Sequence, residues 1–234
     1  MSTAATRKTT RAPFAFLCGL LIAACGSTGS SSDAATSTSV GSASLTPQIT
    51  ATTAATASPT LTTGDLRAIP GLPTDVRVAA IDTTKIFENP DPRGPCGAKI
   101  PQPSFKNAAG VAISGTGLVG DQLVTELPSG QAAAYVRAMI QDGHTPCPQY
   151  TSTTNTGATQ IVTPLGAVEV HATELGLVYA GTIQLGATRS YAVGVLLVAG
   201  DKLQTMDLLS PQPIDTTAVN LVVQRAAQLL NQPR

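Results

Sequence analysis

Few residues in this chain of 234 could do chemistry, and their spacing narrows the options further. There are four cysteines and two histidines. Neither His144 nor His171 falls in a cluster with metal-ligand spacing, and no CxxC pair is present. The pattern therefore argues against a zinc site or a dithiol redox site. Gly115, Gly117 and Gly120 spell G-x-G-x-x-G. Such a loop cradles a pyrophosphate only when a helix opens at the third glycine. Here Asp121–Leu127 follows with the pattern of a strand, so the glycines read as a hairpin loop. Ser114 lacks the preceding glycine of a nucleophile elbow. Glu169, His171 and Glu174 could serve a Ser/His/Glu arrangement, but Glu169 and His171 alternate with Val168 and Val170 and read as the solvent face of one strand. Asp82, Glu88 and Asp91 lie among prolines, where nothing specifies the fixed gap that two glycosidase carboxylates need. The expectation is a chain with no catalytic residue, no metal and no cofactor.

The elements that would position these residues are legible from residue 65 onward. Asp65–Phe105 is rich in proline and predicts irregular chain with one short strand near Arg77–Ile81. Gly110–Ser114 and Gln122–Leu127 predict two strands. Ser129, after Pro128, suits a helix N-cap. Ala132, Val136, Met139 and Ile140 recur at helical spacing up to a stop at Gly143. Strands follow at Gln160–Pro164 and Ala167–Ala172, and Leu175, Leu177, Tyr179 and Ile183 continue a period of two. Ser190–Ala199 is apolar on both faces, as in a central strand, and Gly200-Asp201 turns into Leu203–Leu209. Pro213 and Asp215 open a last helix whose stripe is Val219, Val222, Ala226, Leu229 and Leu230. The order predicts an α+β fold: a twisted antiparallel meander with both main helices packed on one face. Small residues recur in the strands at Gly176, Ala180, Gly181, Ala192 and Gly194. They allow either a concave, ligand-accepting sheet face or close packing of the helices.

The N-terminus has a different composition. Arg7, Lys8 and Arg11 precede the uncharged run Pro13–Ala24, which at about a dozen residues is too short to span a bilayer. A basic start, a short apolar run and small residues at its end predict a secretory signal over residues 1–24. Leu21-Ile22-Ala23-Ala24-Cys25 resembles the lipobox of bacterial lipoproteins, which implies that Cys25 becomes the acylated first residue of the mature protein, carrying chains such as palmitate. Cys18 follows bulky Phe16 and Leu17 and would leave with the signal. Two acyl chains anchor stably where one is marginal. Residues 25–64 then form an acylated cysteine and a Ser/Thr/Ala/Gly-rich linker in which Asp33 is the only charge. Such a segment buries too little apolar surface to order itself and predicts a disordered tether with a mean reach on the order of 35 Å. Its Ser/Thr density permits O-glycosylation. Loss of the signal leaves 11 basic and 14 acidic residues, with no basic patch suited to nucleic acid.

Cys96 and Cys147 are then the only thiols of an exported domain spanning residues 65–234. Outside the cytoplasm two such cysteines pair or, less commonly, remain as buried free thiols. Around them stand NPDPRGPCGA (Asn89–Ala98) and VTELPSGQAAAYVRAMIQDGHTPCPQYTSTTNTG (Val124–Gly157). These blocks resemble a group of actinobacterial secreted lipoproteins, which are similar to the extracellular sensor domain of the PknH-type serine/threonine kinases. The shared pattern is a cysteine before the first strands, a strand ending in Pro-Ser, a helix of the Ala-Ala-x-x-Val kind, a cysteine just beyond it, then strands and a terminal helix. That sensor domain has two disulfides and tryptophans near its cleft, whereas this chain has one possible pair and no Trp. The resemblance implies an antiparallel sheet with helices, a cleft, and a role in binding a ligand without catalysis. The function expected is a binding or sensing module, lipid-anchored at the outer face of the plasma membrane, for a small-molecule, glycan or envelope-protein ligand. A carrier of lipid or glycolipid is the first alternative and an envelope hydrolase the second.

Overall fold

The structure, a computed structural model, describes residues 59–83, 91–103, 108–154 and 157–232. The signal, Cys25 and most of the expected linker lie outside the described residues. Eight strands form one sheet in the order β1-β2-β3-β8-β7-β6-β5-β4. They are β1 (Arg77–Ala80), β2 (Ala109–Gly115), β3 (Leu118–Glu126), β4 (Tyr150–Thr153), β5 (Thr159–Glu169), β6 (Leu175–Leu185), β7 (Thr188–Ala199) and β8 (Lys202–Ser210). Every neighbouring pair is antiparallel. The helices are α1 (Thr63–Arg67), α2 (Gln131–Gly143) and α3 (Thr216–Leu230). This is the α+β class, with an antiparallel sheet built from two meanders. After β3 the chain crosses through α2 to the far edge and winds back from β4 to β8, which closes against β3.

The two long helices do not share a face, and β7 shows why. Its odd positions Val193, Val195 and Leu197 pack in one cluster with Val219, Val222, Ala226 and Leu230 of α3. Its even positions Leu196 and Val198 pack in another with Val136, Met139 and Ile140 of α2. Alternate side chains leave a strand on opposite faces, so a strand apolar throughout needs cover on both sides. The expectation of both helices on one face is corrected accordingly: α3 covers one side of the sheet and α2 the other.

Three local differences have equally plain causes. The folded unit takes in Thr60–Gly64, which composition assigns to the linker. Leu61 is buried in the α3-side core, and Thr62 caps α1 in a reciprocal box with Asp65. The N-cap of α2 is Gly130, left-handed at φ 78°, and Ser129 makes no capping bond. The two strands expected at 160–164 and 167–172 are one strand, β5, bent by a register shift between Pro164 and Gly166. Asp215, expected to open the last helix, is the N-cap of α3: its Oδ1 accepts from Thr217 N at 2.8 Å and Ala218 N at 3.0 Å.

Candidate functional site

β8 stops at Ser210, opposite Tyr191, and leaves the sheet through Pro211. Of its neighbours β7 runs on past it, while β3 begins level with its end, Leu118 falling opposite Ser210 in the β3–β8 register. On one side β7 continues as Ser190, Arg189 and Thr188, paired to β6 through Ile183↔Ser190, Gln184↔Arg189 and Leu185↔Thr188. At about 3.3 Å per residue these three project roughly 10 Å past the end of β8. On the other side the β2–β3 hairpin closes through Thr116-Gly117, with Gly117 at φ 70° where a side chain would be strained. The space between the hairpins is a cleft of about 250 Å³. Leu118, Val119, Leu209 and Pro211 line it, with Arg189, Thr188, Ser190 and Ser210 along its rim.

Val119 is 37 % exposed, an unusual position for a valine on a central strand. It lies opposite Leu209, so the two form an apolar floor across the β3–β8 pair. The β2–β3 wall is held from outside by Asp75. Its carboxylate accepts from Thr116 N at 3.0 and 3.1 Å and from Thr116 Oγ1 at 2.7 Å. Those bonds hold the Asp75 carboxyl below the usual carboxylate range. The exposed Arg189 guanidinium makes no ion pair among the described residues.

The next pair inward on the same face is Asp121↔Asp207, both buried. Asp121 Oδ1 has no hydrogen-bond partner. Burial, and then the neighbouring Asp207, push the Asp121 carboxyl well above its ordinary range. Beside Asp207, the ring of Tyr179 crosses Gly194, where a Cβ would fall within the ring. The small residues in the strands therefore admit neighbouring side chains: Tyr179 over Gly194, and Val170 and Leu197 against Gly176.

The raised carboxyl has a consequence for pH. Below about pH 3, under the ordinary aspartate pKa, native and unfolded chains alike hold this proton. As pH rises further the unfolded chain releases it while native Asp121 retains it, so stability falls until the folded value is passed. Asp121→Asn should remove that fall. The variant should be more stable than the parent at pH 7, with the difference narrowing as pH falls and levelling out below about pH 3, as read by thermal melts across that range. A variant less stable than the parent at pH 7 would contradict the assignment.

The remaining candidate residues are dispersed. Glu169 Oε1 lies 3.7 Å from His144 Nε2, Glu174 Oε2 accepts from Gly200 N at 3.1 Å, and His171 is exposed. The three are not assembled around a serine. Gly115 and Gly117 belong to the β2–β3 hairpin, and Gly120 lies inside β3. Asp82 and Asp91 are described, whereas Glu88 lies outside the described residues. Asp91 pairs with Arg93 at 3.0 Å and Lys99 at 3.7 Å. Among the described residues no group of three or more His, Cys, Asp or Glu could hold a metal ion.

Cys96 and Cys147 are joined, with Cα atoms 5.5 Å apart. The join is buttressed by Asp142 in the last turn of α2. Its Oδ2 accepts from Cys96 N at 2.7 Å and its Oδ1 from Ala98 N at 3.3 Å. Gly97, at φ 86°, lies against the Tyr150 ring, and Tyr150 donates to Gly94 O at 3.1 Å. Nothing in the sequence marks Asp142, an acid near a helix C-terminus where basic residues are favoured.

No family model matches the chain, and no curated protein matches it. Among solved structures it is similar to the extracellular domain of PknH from Mycobacterium tuberculosis, with a TM-score of 0.53. The two chains share a fold. The match covers 74 % of this chain and 94 % of that domain at 13 % identity. Among the described residues no helix is long and apolar enough to cross a membrane.

Proposed function

We propose that this protein is a non-catalytic binding or sensing module, held at the outer face of the plasma membrane by an acylated Cys25, and that the cleft at the end of β8 is where it takes its ligand. The cleft carries the reading: the β6–β7 hairpin overhangs the end of β8 beside the β2–β3 turn, and Val119 is left exposed on an apolar floor. The likeness to the extracellular domain of a kinase supports an exported binding role. A volume of about 250 Å³ is below the usual range for drug-sized ligands and far short of what a glycolipid carrier encloses. The dispersal of Glu169, His171 and Glu174 favours binding over hydrolysis.

Mass spectrometry of small molecules retained by the mature protein, purified from its native envelope beside Val119→Asp, tests the binding role. Material held by the parent should be lost from the variant, whereas equal retention would remove the cleft from the account. The anchor is tested separately. Cys25→Ala should block processing or release the protein from the membrane fraction. A variant that is mature in size and still membrane-bound would contradict it.

A further inference from the structure

We infer that the cleft at the end of β8 takes an extended polypeptide segment as a short added strand in the line of β8, with an acidic residue opposite Arg189 and an apolar residue next to it. The inference names the kind of ligand for the proposed binding role and rests on that role.

The backbone sets the first condition. Gly186-Ala187 closes the β6–β7 hairpin, so the flanking pair Leu185↔Thr188 exchanges both of its backbone hydrogen bonds. Such pairs alternate along an antiparallel ladder. Thr188 and Ser190 therefore turn N–H and C=O toward β6, while Arg189 and Tyr191 turn theirs to the side of β8. Tyr191 meets Ser210, the last residue of β8. Arg189 has no strand residue to meet there. Pro211 leans instead toward the β2–β3 turn, where a Cβ on Gly117 would lie 3.8 Å from its ring, and Gln212 N donates to Ser210 Oγ at 3.2 Å. The N–H and C=O of Arg189 stand at an open strand edge beside the cleft, and such an edge accepts an extended peptide.

The side chains set the second condition. Odd positions of β7 face α3, as Val193, Val195 and Leu197 do, so the Arg189 side chain leaves on that face. Val119, Leu209 and Ala192 share the opposite face. A ligand that meets both must present unlike groups to the two sides of the sheet. An extended peptide does so, because its alternate side chains leave on opposite faces. Even positions of β8 face α3, as Met206 and Leu208 do. The added residue opposite Arg189 continues that series, so its side chain lies beside the exposed guanidinium, which makes no ion pair among the described residues. Opposite charges directly across an antiparallel pair attract, which selects Asp or Glu. The adjoining side chain leaves on the other face, toward Leu209, Pro211 and Val119. A cavity of about 150 Å³ accepts benzene, so a cleft of about 250 Å³ has room for one apolar side chain and the backbone that carries it.

The test titrates the mature full-length protein with the peptide acetyl-Val-Glu-Val-Thr-amide, followed by amide and methyl NMR. Binding should be weak, with a dissociation constant on the order of 1 mM for a ligand this small. It should slow exchange of the Arg189 amide and shift the Val119 and Leu209 methyls. Methylating the glutamate nitrogen of the peptide removes the donor to Arg189 C=O and leaves every side chain in place, and should weaken binding about tenfold. Lysine in place of the glutamate should weaken it about threefold to tenfold. Arg189→Glu should reverse the order of the Glu and Lys peptides. As an exposed substitution it should melt with the parent.

Equal binding of the N-methylated peptide, or an Arg189 amide that exchanges as fast with peptide as without, would overturn the inference. So would a parent that dimerises with that amide already protected, since the occupant would then be a second copy. Octanol shifting Val119 and Leu209 where no peptide does at millimolar concentration would overturn it too, in favour of a small apolar ligand. An order of the Glu and Lys peptides indifferent to Arg189→Glu would overturn the assignment of the acid. The broader binding role is judged apart, on the Val119→Asp retention experiment.

Discussion

Gly120→Val should be among the most damaging single substitutions in this protein, costing about 3 kcal/mol or more. Gly120 lies in β3 opposite Leu208 of β8. A Cβ at that position would run into the backbone oxygen of Asp207. It would also come within 2.8 Å of Leu208 Cδ2 and 3.3 Å of Leu208 Cα. The first and third of these are backbone atoms, which cannot move aside as the end of a side chain can. Overpacking ordinarily costs about 1–3 kcal/mol, and here the obstruction falls on the one pairing that joins the meander β1–β3 to the meander β4–β8. Global stabilities are only about 5–15 kcal/mol, so the variant should be partly unfolded or unfold in mild denaturant. Gly130→Ala is the control. It has open space around its Cβ but a φ of 78°, so it should cost about 1–2 kcal/mol from strain alone. Urea denaturation of both decides the matter, and a loss below about 1 kcal/mol for Gly120→Val would mean that β3 and β8 do not meet in this register.

Loss of the disulfide should be of similar size. The double variant Cys96→Ser, Cys147→Ser avoids a stray thiol and opens a link across 51 residues. In the chain-entropy picture a loop of that length contributes about 4 kcal/mol, and measured losses for native bridges run at about 2–5 kcal/mol. The effect should concentrate on one region. The 91–100 segment is held by the bridge, by Asp142 and by Tyr150, and it delivers Ile100 into the α2-side core. Without the bridge, Cys96 N and Ala98 N must stay on Asp142 unaided. Amide exchange should therefore accelerate first at residues 94–100 and in the last turn of α2. Intact mass before and after reduction and alkylation should show one bridge in the parent. Two thiols that alkylate without reduction, or a double variant within about 1 kcal/mol of the parent, would contradict this.

Much of the fold was legible where local pattern and burial agree. The α3 stripe from Val219 to Leu230 is buried as its spacing predicts, and Asp215 caps the helix. Gly200, at φ 59°, makes the tight β7–β8 turn. The doubly apolar run of β7 marks the centre of the sheet, and that same run implies cover on both faces, which a one-face arrangement of helices cannot give. Low-complexity composition hid Leu61 and the Thr62 cap, because two informative residues carry little weight among many serines and threonines. β3 begins at Leu118, earlier than predicted, because Gly120 reads as a loop glycine until its cross-strand neighbour is known.

The candidate site was not legible, for a different reason. It arises where β8 ends between the longer β6–β7 hairpin and the β2–β3 turn, so it depends on pairings between residues far apart in sequence. Val119 meets Leu209, and Asp121 meets Asp207, only because β8 returns to β3. Thr188–Ser190 line the same place from the first residues of β7, where the sequence signals nothing beyond a hairpin. Periodicity shows which face of a strand is apolar but not which strand it will lie beside.

The central claim is that this protein binds its ligand at the end of β8, and methyl-selective NMR tests it most directly. Small molecules extracted from the envelope would be added to the mature protein labelled at Val and Leu methyls. The account predicts shifts concentrated at Leu118, Val119 and Leu209. It predicts little change at Leu165 and Val168, which at 60 % and 64 % exposure are the most accessible large apolar side chains elsewhere on the described surface. Shifts centred on Leu165 and Val168, with Val119 and Leu209 unmoved, would contradict it.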